Sequence, residues 1–354
     1  MSMYRFAQYS DLPALLASLA RENRVLVPVV KPAVKKSIVF EEWKEGLEFT
    51  LDKATVPAKS AVLPQSETLV TYEKTRDPEH PDKFLLRLDD TPEARPTVVF
   101  GARSCDARGY ATLDRPYLNG LYKDPYYAAR RACLTVITLT CNSGCNTCFC
   151  HWVGAGPSSP EGSDILMTQI DDGYVLQAVT PRGQAVLDAS PLSECSEERE
   201  RTMMDVRKAA WKTLDPKPDL TLAPDKILAR FTDTEFWARE TDRCLSCGAC
   251  TYFCPSCYCF NVTDEGSGMG RPGRRIRSWD NCMSSLFTRE ASGHNPRATK
   301  GERMRQRVTH KFATYPENWG AFSCMGCGRC ISNCPARIDI RRIVMDAIAD
   351  DTKE

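Results

Sequence analysis

Two stretches of this chain carry the same cysteine rhythm: CLSCGACTYFCP from Cys244 to Pro255, and CMGCGRCISNCP from Cys324 to Pro335. Each is C-x2-C-x2-C-x3-C-P, a spacing that binds cubane iron–sulfur clusters, with the fourth cysteine lent to the other cluster. Three thiolates at intervals of three wrap one cube. The fourth leaves that loop, and the proline behind it redirects the chain. The predicted assignment is therefore crossed. Cys244, Cys247, Cys250 and Cys334 hold one [4Fe–4S] cluster, and Cys324, Cys327, Cys330 and Cys254 hold a second. Zinc is the competing metal, but it takes four ligands from two pairs, and a triplet with an offset fourth overshoots that pattern.

The chain has 18 cysteines in 354 residues. Its first residues, MSMYRFAQYSDLPALL, lack the basic and apolar regions of a signal peptide, and no apolar run reaches the length of a membrane span. A cytoplasmic location is expected, where thiols stay reduced and clustered cysteines point to metal rather than disulfides. The composition, 42% apolar and 26% charged with net charge +1, is that of a globular protein and carries no nucleic-acid signal.

Three parts are expected: residues 1–195 as an α/β domain with a cysteine-rich metal loop, 196–240 as a helical linker, and 241–354 as a mainly helical two-cluster ferredoxin-type domain. Ser10 is placed as the cap of a helix over LPALLASLARE. RVLVPVV follows as a strand whose Pro28 suggests a sheet edge. TLVTYE, TVVFGA and LTVITL are short β-rich runs; two are almost continuously apolar, as in strands covered on both faces. Residues 196–214 form a helix with acids early and lysines late. In the last part FTREASG, ATKGERMRQRVTHKF and IDIRRIVMDAIAD are expected as helices, with no strand pair between them. The excursion between the two runs is basic. Its residues Arg271, Arg274, Arg275, Arg277, Arg297, Lys300, Arg303, Arg305, Arg307 and Lys311 either neutralise the clusters or form a solvated face. GMGRPG at 268–273 matches a dinucleotide fingerprint in letters only, for no strand precedes it; no flavin or nucleotide site of the chain's own is expected.

A further set, Cys141, Cys145, Cys148 and Cys150, lies in the loop CNSGCNTCFCHW. Cys105 follows TVVFGA and Cys141 follows LTVITL. If those strands are parallel neighbours, both cysteines share the rim where α/β sheets place their sites. A third [4Fe–4S] cluster is expected on Cys105, Cys141, Cys148 and Cys150, with Cys145 as the alternative fourth ligand and zinc as the alternative metal. His151 is expected to be structural, and Cys133 and Cys195 ordinary thiols. Cys257, Cys259 and Cys282 remain open between buried thiols, spare ligands and part of another cluster.

The stretches GARSCDARGYATLDRPYL, DPYYAARRACLTVITLTCN, CFC, CPSCYCF, RSWDNCMSSLFTREASGHNPR and RVTHKF, together with both cysteine runs, resemble one family. It comprises the beta subunit of cytoplasmic sulfhydrogenase-type NiFe hydrogenases, its counterpart in anaerobic sulfite reductase, and the iron–sulfur subunit of flavin oxidoreductases serving heterodisulfide reductases. The chain departs from it at Ser104, where the family has proline. The resemblance implies an electron-transfer subunit of a cytoplasmic hetero-oligomer in anaerobic metabolism. Its partners would be a flavin subunit that meets NAD(P)H and a catalytic or electron-accepting protein, which is a hydrogenase, heterodisulfide reductase or sulfite reductase. No catalytic residue is assigned. The alternatives are a reductase with its own substrate site at the N-terminal cysteines, and a zinc-stabilised interaction module.

Overall fold

Val98, Val99, Phe100 and Ala102 alternate between the two faces of a strand, and Leu134, Val136, Ile137 and Leu139 do the same on its neighbour. Both strands are apolar throughout because both faces are covered. The structure, a computed structural model, describes residues 3–32, 37–266 and 272–349. The main sheet holds eight strands: β1 (Tyr4–Gln8), β2 (Arg24–Lys31), β3 (Ser37–Glu42), β6 (Thr97–Arg103), β7 (Leu134–Leu139), β8 (Ile165–Ile170), β9 (Gly173–Ala178) and β10 (Ser193–Glu194). Their order is β10-β1-β9-β8-β7-β6-β2-β3. The central four, β2, β6, β7 and β8, run parallel, and the outer strands are antiparallel. The helix Leu12–Leu19 covers one face and the helix Ser104–Leu118 the other.

Two local expectations in this region change. Ser10 lies in a short 3-10 turn, and the position before the helix is Asp11, whose carboxylate accepts from the Gln8 N–H at 2.8 Å. Pro28 is on β2, which is not an edge strand. However, β2 pairs with β6 only over Arg24–Leu26, so the missing N–H of Pro28 falls beyond that ladder.

A second sheet of four strands has the order β11-β12-β4-β5. It consists of β4 (Ser66–Arg76), β5 (Phe84–Asp89), β11 (Phe260–Glu265) and β12 (Gly273–Trp279). It corrects two expectations. TLVTYE belongs here and not to the main sheet, and the C-terminal part contains a strand pair, so it is not clearly mainly helical. β12 lies antiparallel to β4, with Ser278 opposite Ser66, and thereby joins the N-terminal and C-terminal parts of the chain in one sheet. At its centre Arg277 is clamped by Glu67 and Asp124. FTREASG is also not helical. Asn295 closes that segment into a loop, with its side chain bonded to the Ser285 carbonyl and the Thr288 hydroxyl.

The remaining helices behave as their patterns predict. Ser196 caps Glu197–Lys212 by accepting from the Arg199 N–H, and Ile340, Ile343, Val344 and Ala347 bury one side of Ile340–Ile348. Residues Lys300–Thr309 form a helix opened by a capping box of Thr299 and Glu302. It runs directly into a π-helical turn at His310–Thr314. The core around these helices also receives Phe149 and Val153 from the N-terminal cysteine loop. Burying Phe149 alone contributes about 1.5–3 kcal/mol. Contrary to expectation a strand, β11, does precede GMGRPG, whose letters themselves fall largely outside the described residues.

Candidate metal centres

Each C-x2-C-x2-C run folds into a loop with two left-handed positions followed by a single helical turn. In the first run these are Ser246 and Gly248, leading into Ala249–Tyr252; in the second, Gly326 and Gly328, leading into Arg329–Ser332. Left-handed backbone turns the N–H groups inward. The Ser246 N–H points at the Cys244 sulfur at 3.4 Å, and the Gly326 N–H at the Cys324 sulfur at 3.4 Å. The Ile338 N–H adds a bond of 3.3 Å to the Cys334 sulfur. Backbone donors aimed at sulfur suit thiolates that carry negative charge.

The cysteines of the two runs line two cavities. Cys244, Cys247, Cys250 and Cys334 line one; Cys254, Cys324, Cys327 and Cys330 line another. Cys330 borders both, so the two sets adjoin. Among the described residues, no three His, Cys, Asp or Glu side chains converge as tightly as one metal ion requires.

Charge provides an independent test of fit. Lys59, Arg307 and Lys311 are all buried, and none forms an ion pair with a carboxylate among the described residues. A buried cation is costly unless an anion balances it. Their charged neighbours are cysteines. Burial opposes the Arg307 charge, yet Cys250, Cys257 and Cys282 hold its pKa well above the usual arginine value. Lys311 is likewise raised against its burial, by Cys254 and Cys257, whereas burial lowers Lys59. The donor set and the buried positive charge both fit anionic iron–sulfur clusters.

Of the other basic residues in the excursion, Arg274 and Arg275 form exposed pairs with Glu265 and Asp264, and Arg277 is clamped as described. Arg303 reaches the Ser246 hydroxyl at 3.2 Å, beside the first loop. Arg271 lies outside the described residues.

In the N-terminal region β6 and β7 are parallel neighbours, so Cys105 and Cys141 do share one rim. A cavity of about 290 Å³ is lined by Cys105, Cys141, Cys145, Cys148 and Cys150, and by Cys327 of the second run. Cys145 and Cys148 are joined as a disulfide, with Cα atoms 5.1 Å apart. Either sulfur can ligate a metal only after reduction, so the expected set of Cys105, Cys141, Cys148 and Cys150 is not free as a whole. The C-x2-C spacing itself permits this pairing, which competes with ligation. Lys53 donates to both of these sulfurs, at 3.5 and 3.4 Å, and to the Cys327 carbonyl at 2.5 Å.

The N-terminal set touches the second run directly. The Phe149 N–H bonds the Gly326 carbonyl at 2.7 Å. Cys105 hydrogen-bonds Cys327, and that bond, aided by the Arg329 charge, lowers the Cys327 thiol to about 6. Arg329 is held by a bidentate, fully buried pair with Asp106, at 2.6 and 2.9 Å. His151 is structural as expected, with its Nε2 bonded to the Asp215 carbonyl at 2.7 Å. Cys133 sits at the end of the helix before β7, not inside the strand, and Cys195 precedes the helix at Glu197.

Sequence patterning does not single out Lys53, Lys59, Asp106, Phe149 or Arg329. Asp106 and Phe149 stand beside candidate ligand cysteines, and Arg329 lies inside the second run. Nothing local distinguishes Lys53 or Lys59.

Two repeated cysteine loops that line adjoining cavities, backed by buried cations, fit the class of iron–sulfur proteins. Residues 243–338 match the family described as 4Fe-4S dicluster domain. Over 244 residues the chain is 31% identical to sulfhydrogenase 2 subunit beta of Pyrococcus furiosus, an alignment covering 68% of this chain and 71% of that protein. No solved structure matches it. The chain belongs to the sulfhydrogenase beta-subunit family, in agreement with the resemblance carried by its motifs, and is an iron–sulfur electron-transfer subunit.

Proposed function

We propose that this chain relays single electrons between a flavin subunit that meets NAD(P)H and a catalytic partner: a hydrogenase, heterodisulfide reductase or sulfite reductase. The observation that carries this reading is the contiguity of three thiol sets, with Cys327 shared by the N-terminal and second cavities and Cys330 by the second and first. When bound, a [4Fe–4S] cluster accepts and releases one electron at a time. Cys244, Cys247, Cys250 and Cys334 would hold the first, and Cys324, Cys327, Cys330 and Cys254 the second. A third would use Cys105, Cys141, Cys150 and one sulfur of the reduced Cys145–Cys148 pair.

The protein's own part is to set position and potential. The Ser246, Gly326 and Ile338 N–H groups stabilise the electron-rich state by donating to sulfur. Arg307 and Lys311 add buried positive charge to the same end. The Asp106–Arg329 clamp fixes Cys105 against Cys327.

A relay needs a partner at each end, which makes an anaerobic, cytoplasmic hetero-oligomer the expected setting. Among the described residues, no helix is long and apolar enough to cross a membrane. The exposed apolar residues Leu86 and Leu88 on β5, and Leu121 and Tyr122, are surface of the kind that partners cover. The alternative of a substrate site at the N-terminal cysteines would gain if Cys105 and Cys145 stood away from that cavity, and both line it.

The test is anaerobic purification of the complex from its native source, followed by iron analysis and reductive titration. About eight to twelve iron per chain and one-electron bleaching of the visible absorption are expected. Zinc in place of iron in the eight ferredoxin-type thiols would overturn the reading.

A further inference from the structure

The hairpin of β11 and β12 brings together three cysteines that the relay does not use. Cys259 immediately precedes β11, and Cys282 lies just beyond β12. The strands pair Phe260 opposite Trp279, and the Asp280 N–H closes onto the Cys259 carbonyl at 2.9 Å. The two feet of the hairpin therefore carry their cysteines to one place, and C-x-C spacing adds Cys257. All three line a cavity of about 360 Å³.

The opposite wall is basic. It includes Arg297, Arg307, His310 and Lys311, the last two on the π-helical turn. A π-turn inside a helix is uncommon and is frequently a functional feature. Arg307 donates to the Cys257 sulfur at 3.5 Å, and Thr251 lies 3.5 Å from the Cys282 sulfur. Lys59 holds the Cys257 carbonyl at 2.9 Å from behind. Among the described residues, no carboxylate lines this cavity. Three thiols among cations, open on one side, make a site for an anionic metal cluster rather than a packed core.

We propose that Cys257, Cys259 and Cys282 hold an additional iron–sulfur cluster, with one iron free of protein thiolate and facing the basic wall. Three cysteines satisfy three corners of a cube. The fourth corner would have no protein thiolate, in a cavity that His310 and Arg297 also line, and its iron could take a small soft anion of the cyanide or hydrosulfide kind. Arg307 and Lys311 also line the cavity of Cys254, Cys324, Cys327 and Cys330, which places the new site next to the second ferredoxin-type set. It would be a branch off the relay at which a ligand meets iron.

The experiment uses the full chain in its anaerobically purified complex, with the Cys259→Ser/Cys282→Ser double variant. Iron should fall by about four atoms per chain, and one spin system should vanish from the reduced EPR spectrum while the ferredoxin-type signals persist. Cyanide added to the reduced wild type should shift only that missing signal. Unchanged iron and unchanged spectra in the variant would overturn the cluster. A lost cluster whose wild-type signal ignores cyanide would overturn the open iron.

Should the double variant fail to fold, Arg297→Glu keeps every thiol. It is expected to weaken cyanide binding about tenfold with the iron content intact. Binding unchanged from wild type would overturn the anion site. Loss of the ferredoxin-type signals in the wild type would instead sink the relay reading, so the two failures are distinguishable.

Discussion

The two cysteine loops are near twins in sequence and backbone, yet their surroundings are opposite. In the first, Leu245 is 68% exposed and Cys247 faces solvent. In the second, Met325 is 1% exposed and Cys327 is buried. What buries the second loop is the N-terminal cysteine segment. A Cβ on Gly326 would lie 2.4 Å from the Phe149 carbonyl oxygen, and one on Gly328 would lie 2.3 Å from that of Thr147. A Cβ on Gly248 of the first loop would meet only the Asn281 side chain, at 2.7 Å. One loop is thus open to solvent and the other is covered by its own chain. Under the proposed relay, the same motif would serve as terminus in one place and as interior junction in the other.

The largest effect that could break this comparison comes from Cys327→Ala. It should remove about four iron and interrupt reduction of the N-terminal site, whereas Cys247→Ala should remove about four iron and leave the N-terminal site reducible through the second set. Stopped-flow reduction of the complex followed in the visible range separates the two. Equal behaviour would mean that the second loop is no junction.

Next in size is Asp106→Ala, which leaves the Arg329 charge buried without its partner. A loss of about 3–5 kcal/mol is expected, read as a lowered thermal midpoint. The nearest equivalent beside the first loop is Arg303, which bonds the Ser246 hydroxyl and has no carboxylate pair among the described residues, so Ser246→Ala should cost about 1 kcal/mol.

The glycines sharpen the contrast. Gly326→Ala meets backbone on top of its left-handed strain of about 1–2 kcal/mol, and should cost more than Gly248→Ala, where a side chain can move aside. Equal thermal midpoints would contradict the difference in packing. The smallest effect on stability belongs to Leu245→Glu. Within about 0.5 kcal/mol of wild type, it should slow electron exchange with the partner protein and leave iron content unchanged.

What the sequence revealed follows how local each feature is. The cysteine runs are local: the repeated spacing is read directly from the letters, and the cavities they line share Cys330. The shared rim of Cys105 and Cys141 was readable because two continuous apolar strands imply parallel neighbours in a covered sheet. The β11–β12 pair was not readable. GRRIRSW presents arginines to solvent and to Glu67, so it looks like a charged loop until β4, remote in sequence, supplies the partner. FTREASG shows the converse: it has helix-forming letters, but Asn295 accepts from the Thr288 hydroxyl within it and donates to the Ser285 carbonyl just before it. The Cys145–Cys148 bond depends on the path of a loop, which spacing permits but does not require.

The antiparallel contact between Ser66 and Ser278 joins positions 212 residues apart. During synthesis β4 and β5 leave the ribosome long before β12 exists, and until it arrives one flank of that ribbon has bare amide and carbonyl groups. Both cysteine runs bracket the late arrival: Cys244 emerges before it and Cys324 after. The seam can therefore close before the second run is made, and a nascent chain halted short of residue 280 would leave that flank bare.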